Sequence, residues 1–70
     1  MGDSYDVGQV GRIVEVNGLI ATVDLGGGTT VHANLAFVEA KLGDYVLVHA
    51  GYALNVLDAE EAERMLSNWR

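Results

Sequence analysis

The sequence predicts a mainly β protein: a small OB-like or SH3-like barrel of about five strands, followed by one C-terminal α-helix. Three observations carry that reading. Short runs of alternating apolar and polar residues recur between Val10 and Leu57, the period of half-buried strands. Asn-Gly and a triple glycine break those runs where tight strand connections are needed. After Asp58 the apolar spacing changes to that of a helix face. Barrel closure is the economical arrangement for such strands, because it removes exposed edges.

Taken in order, residues 1–8 hold two glycines and two aspartates with only Tyr5 and Val7 as strongly apolar side chains, and read as a loose arm. The single domain is expected over residues 9–70. Its first strand begins at Val10, where Val10, Arg12, Val14 and Val16 alternate with Gly11, Ile13 and Glu15. Asn17-Gly18 predicts a hairpin with both residues at positive φ. The return strand, Leu19 to Leu25, places Leu19, Ala21, Val23 and Leu25 on one face. Gly26-Gly27-Gly28 connects it to a third strand, Thr29 to Leu35, with Val31, Ala33 and Leu35 inward. Ala36 to Leu42 fits either a short strand or a helical turn, ended by Gly43-Asp44. Tyr45 to Ala50 is dense enough in apolar residues to be a central strand. Gly51 marks a bulge or bend, and Tyr52 to Leu57 continues as strand. Asp58 with Glu61 three residues later forms an acidic capping box for a helix over about 58–69. Ala62, Met65, Leu66 and Trp69 share one face of that helix, suited to docking on the barrel or, for Trp69, to anchoring a partner.

Composition narrows the function. The 70 residues carry ten Asp and Glu against four Lys and Arg, a net charge of −6. That balance opposes nucleic-acid binding, which depends on basic side chains releasing counterions, and opposes anionic membrane surfaces equally. No apolar run reaches the roughly 20 residues of a bilayer span, and the acidic start does not read as a secretory signal. A cytoplasmic location is the expectation. The sequence contains no cysteine, so disulfides, thiolate metal sites and thiol nucleophiles are all excluded from these residues. With neither disulfide nor evident metal cage, nearly every apolar side chain is expected to face inward.

Candidate chemistry is sparse. The triple glycine lacks the lysine and the following helix of a phosphate loop. Ser4 and Ser67 lie near the two ends, outside any nucleophile elbow. Glu60, Glu61 and Glu63 suit a helix start better than an acid–base pair. His32 and His49 are the only imidazoles. With Asp24 or Asp6 they could make a His-carboxylate site for iron or zinc, His49 being the strongest candidate ligand. Otherwise His49 reads as a half-buried histidine of a central strand and His32 as a solvated one. The residues favour a non-catalytic interaction module over an enzyme.

Several segments, in order, resemble the HypC/HupF family of [NiFe]-hydrogenase maturation chaperones. They are Gly11-Arg12-Ile13-Val14-Glu15-Val16, Ala21-Thr22-Val23-Asp24-Leu25-Gly26-Gly27, Val31-His32-Ala33-Asn34-Leu35-Ala36 and, most specific, Gly43 through Ala53 with its Val48-His49-Ala50-Gly51-Tyr52-Ala53 core. Asp58-Ala59-Glu60-Glu61-Ala62 is a family-like ending. The resemblance implies an OB-like barrel with a C-terminal helix and a cytoplasmic, non-enzymatic assembly factor. It implies no intrinsic cofactor but a transient Fe(CN)₂CO cargo. The implied partners are a HypD-like iron–sulfur scaffold and the hydrogenase large-subunit precursor.

Matching the family's Pro-Gly-Lys/Arg-Val glycine to Gly11 puts Asp6 where the family carries its cysteine and Val10 where it carries proline. A carboxylate is a hard ligand, ill-suited to low-spin iron bearing cyanide and CO. His49 falls on the family histidine. The expected contact residues are therefore Tyr5, Asp6 and Val7 in the arm, and His49, Gly51 and Tyr52 in the motif, with the acidic helix beside them. A diverged accessory or regulatory barrel serving another metalloenzyme is the alternative, as is a His-based metal-binding protein.

Overall fold

The structure is a computed structural model that describes residues 8–68. Five strands, β1 (Gln9–Asn17), β2 (Ile20–Gly26), β3 (Thr29–Asn34), β4 (Tyr45–His49) and β5 (Tyr52–Leu57), precede one helix, α1 (Ala59–Asn68). The strands close into a barrel in the order β1-β2-β3-β5-β4. All neighbours are antiparallel except β3 and β5, which run parallel and meet at a single pair, Asn34 opposite Tyr52. The predicted fold class is the observed one.

Small side chains make this narrow barrel possible. Its interior is filled by Ile13, Ala21, Val23, Ala33, Leu35, Val46, Val48 and Ala53, with Leu25, Val31, Val38 and Ala40 packed against them. Ala21 lies opposite Ala33, and Val48 opposite Ala53, so the tightest layer is built mostly from methyl groups. Gly11 belongs to the same inner surface. A Cβ there would lie 2.5 Å from Val23 Cγ1 and 2.7 Å from the Asp24 carbonyl oxygen, so β1 and β2 can approach only over a hydrogen atom.

Val10 is also buried but lies outside that cluster, on the outer surface of β1 opposite Leu47. The helix contacts β1, β4 and β5 on the outside of the barrel, and its Ala62 is wholly buried. Docking of the helix onto the barrel is thus observed through Ala62. The Met65 and Leu66 side chains, and Trp69, lie outside the described residues. The capping box forms as expected: the Glu61 amide donates to Asp58 Oδ1 at 2.8 Å, and the Asp58 amide donates to Glu61 Oε1 at 3.4 Å.

Four local expectations need correction. The first hairpin turns on Gly18-Leu19, not Asn17-Gly18: Asn17 pairs with Ile20, and only Gly18 takes positive φ, at 65°. Leu19 consequently leaves the strand and is exposed. Second, β1 does not alternate throughout. Ile13 pairs with Val23 but Glu15 with Thr22, leaving Val14 as an extra residue in a bulge. Third, Ala36–Leu42 is neither strand nor helix but irregular chain with turns. Fourth, Gly51 does not bend a continuing strand. Ala50 and Gly51 form a two-residue hairpin between the paired His49 and Tyr52, and the bulge on β5 falls at Leu54 instead.

The inward-facing expectation for apolar residues also fails. Val14, Val16, Leu19, Ile20, Phe37, Leu42, Tyr52, Leu54 and Val56 are all exposed. So narrow a cylinder has more outer surface than its polar residues can cover.

Candidate contact surface around the His49–Tyr52 hairpin

Register places one row of side chains across four strands. Ile20 lies opposite Asn34, Asn34 opposite Tyr52, and Tyr52 opposite His49. Their chain neighbours Ala21, Ala33, Ala53 and Val48 fill the core, so strand alternation turns this row outward. His49 is half-buried in it and Tyr52 is 40% exposed.

The hairpin joining these strands is conformationally unusual. Ala50 has φ of 54° and Gly51 of 84°, the double positive φ of a type I′ turn. Glycine adopts that geometry freely, whereas alanine there costs about 1–2 kcal/mol. Backbone held in such a region concentrates at functional sites. The turn is held from the opposite side by the Asn34 amide, which donates to the Gly51 carbonyl at 2.8 Å.

Asn34 does a second thing. Its Oδ1 accepts the Ala36 amide at 2.8 Å, an Asx turn that directs the chain out of β3. One residue later Phe37 stands 67% exposed, its ring 5.1 Å from that of Tyr52 at an angle of 34°. Such a separation lies within the attractive range for aromatic pairs. One asparagine therefore fixes both halves of an exposed aromatic pair beside the histidine.

Sequence reading found His49, Gly51 and Tyr52, which the structure brings together, but not Phe37. The available signal was weak: the chain's only phenylalanine sits in Ala36–Leu42, whose period settles on neither strand nor helix and so assigns it no core position. Tyr5, Asp6 and Val7 lie outside the described residues. His32 sits on the outer face of β3 opposite Thr22, lining with Glu15, Asn17 and Ile20 a shallow groove of about 270 Å³. Among the described residues, His, Asp and Glu nowhere gather in a group of three able to hold a metal. No helix among them is long and apolar enough to cross a membrane. The three central glycines all take positive φ in the β2–β3 connection, a strand turn as expected.

The family model described as HupF/HypC family matches residues 7–69, spanning barrel, hairpin and helix alike. The chain belongs to the HupF/HypC family. Curated relatives agree. A hydrogenase maturation factor HypC of Rhizobium leguminosarum bv. viciae is 44% identical over 48 residues, covering 69% of this chain and 64% of the relative. That of Cupriavidus necator is 48% identical over 44 residues, covering 63% and 49%. That of Synechocystis sp. is 46% identical over 41 residues, covering 57% and 54%. The chain thus spans about half to two-thirds of the length of these relatives. Family membership gives the hairpin its context: His49 and Tyr52 lie within the matched residues 7–69. Neither the family match nor these relatives support a barrel serving a different metalloenzyme.

Proposed function

We propose that this chain is a HypC-like hydrogenase maturation chaperone that works by protein–protein contact. The observation that carries the reading is the family match over residues 7–69. Relatives named hydrogenase maturation factor HypC support it, at 44–48% identity. The contact surface is the outward row of His49, Tyr52 and Asn34, extended by Phe37 and, in the arm, by Tyr5, Asp6 and Val7. The partners are a HypD-like iron–sulfur scaffold and the hydrogenase large-subunit precursor, both in the cytoplasm. No catalytic step is assigned to the chain.

The chemistry of the site suits recognition better than carriage of iron. Exposed aromatic rings are effective anchors because they bury large areas at small conformational cost. The cargo implied by the family, Fe(CN)₂CO, wants a soft thiolate, and these 70 residues contain none. Among the described residues His49 supplies the one imidazole at the hairpin, and a single imidazole is a weak tether. The cargo is therefore handed over while bound to the partner, with the barrel holding the two proteins in register.

The test is binding of the purified chain to a HypD-like scaffold and to a large-subunit precursor from the same genome, followed by calorimetry. Micromolar or tighter affinity for either supports the proposal, and absence of binding to both overturns it. Replacing Tyr52 with Ala should weaken the complex about tenfold, the effect of losing one exposed aromatic anchor.

A further inference from the structure

The chain between β3 and β4 borders an open groove of about 440 Å³. Val16 and Leu19 of the first hairpin form one wall, and Leu35, Val38, Glu39 and Lys41 lie across from them. Leu19 is 60% exposed at the groove, and Leu42, one residue past its lining, is 63% exposed. Neither side chain belongs to the core.

The pattern of this segment specifies what fits the groove. Val38-Glu39-Ala40-Lys41-Leu42 runs apolar, acid, alanine, base, apolar. Read backwards, it keeps its apolar ends and exchanges its charges. Two copies laid antiparallel with Ala40 on a two-fold axis therefore match at every position. Glu39 of each copy meets Lys41 of the other, and Val38 of each meets Leu42 of the other. A two-fold interface requires that kind of self-complementarity.

Local structure leaves the segment free to pair. Glu39 and Lys41 are exposed, and Glu39 to Lys41 lie between turns, in no strand or helix. The Lys41 side chain is held only by a 3.7 Å contact to Asp44. Among the described residues, the Glu39, Ala40 and Leu42 amides donate no hydrogen bond.

We propose that residues 38–42 form a homodimer contact, with a second copy of this chain occupying the groove. Leu42 of each copy enters the groove of the other against Val38 and Leu19, and the Glu39–Lys41 pairs close its rim. The net charge of −6 repels two copies at a distance, but physiological salt screens that repulsion beyond about 8 Å. At the contact itself the opposed charges cancel. The dimer needs no other protein and so does not rest on the proposed function.

Sedimentation equilibrium of the full chain in physiological salt tests it. The mass should rise with concentration from 7.5 kDa toward twice that value. A contact this small belongs to the weak class, with half-association expected between about 10 µM and 1 mM. Leu42→Asp, at a side chain outside the core, should abolish association. Glu39→Lys and Lys41→Glu each set like charges opposite one another twice and should weaken association about tenfold. Mixed in equal amounts, these two variants regain both opposite-charge pairs and should associate within about threefold of the parent. Far-ultraviolet circular dichroism and melting curves establish that each variant folds.

A parent chain that stays at 7.5 kDa up to about 1 mM overturns the dimer. If Leu42→Asp then weakens binding to the large-subunit precursor, the groove belongs to that partner instead. Association undiminished in Leu42→Asp moves the contact to another surface and overturns the proposal. Mixed variants that associate no better than either alone overturn the antiparallel match about Ala40.

Discussion

Replacing Gly11 with Ala tests the packing of the barrel at its closest point. The added Cβ would sit 2.5 Å from Val23 Cγ1, 2.7 Å from the Asp24 carbonyl oxygen and 2.9 Å from Leu25 Cδ2. Val23 is wholly buried and cannot rotate away without displacing the core. The Asp24 oxygen belongs to backbone opposite Arg12, so relief requires β1 and β2 to separate. Overpacking of a tight core costs about 1–3 kcal/mol, and contact with backbone puts this site near the top of that range. For a domain of this size each kcal/mol moves the melting temperature by about 4–8 °C, so a fall of roughly 10–20 °C is expected. Thermal unfolding followed by circular dichroism measures it, and a urea titration supplies the free energy independently. Gly8→Ala is the internal comparison: its Cβ meets chiefly the end of the Leu47 side chain, which can swing aside, so its effect should be much smaller. A Gly11→Ala melting temperature within about 3 °C of the parent would refute the reasoning that β1 and β2 can approach here only over a hydrogen atom.

Asp58→Ala removes the acceptor of the Glu61 amide and should cost about 1 kcal/mol, read as lower helical ellipticity and an earlier urea midpoint. Asn34→Ala releases the turn that presents Phe37 and should weaken partner binding about as much as Phe37→Ala, roughly tenfold in a calorimetric titration. Lys41→Ala should shift stability by less than about 0.5 kcal/mol, because that side chain is 85% exposed and its Asp44 contact is 3.7 Å long.

The fold class and the order of its elements were readable because the earlier strands alternate, Tyr45–Ala50 is a dense apolar run, and Asp58 with Glu61 announces the helix chemically. What escaped was local register. Val14 is apolar on either side of a bulge, so alternation could not reveal that it is the extra residue. Asn17-Gly18 and Gly18-Leu19 differ by one position, and a turn needing only one positive φ is served by Gly18 in the second frame. At Ala50-Gly51 the glycine was visible, but nothing in an alanine signals a left-handed backbone. That conformation follows from the His49–Tyr52 pairing and from Asn34 gripping Gly51. The site was legible in part for the same reason. His49, Gly51 and Tyr52 stand close in sequence, whereas Phe37 joins them only through the long-range closure of β3 on β5.

In the proposed function the barrel recognises a partner without itself holding the iron unit. The deciding measurement is infrared spectroscopy of this chain, co-produced anaerobically with a HypD-like scaffold and then separated from it. Cyanide and carbonyl stretching bands are expected in the scaffold fraction and none in the fraction holding this chain. Bands that travel with the isolated barrel, and vanish in a His49→Ala variant, would contradict it.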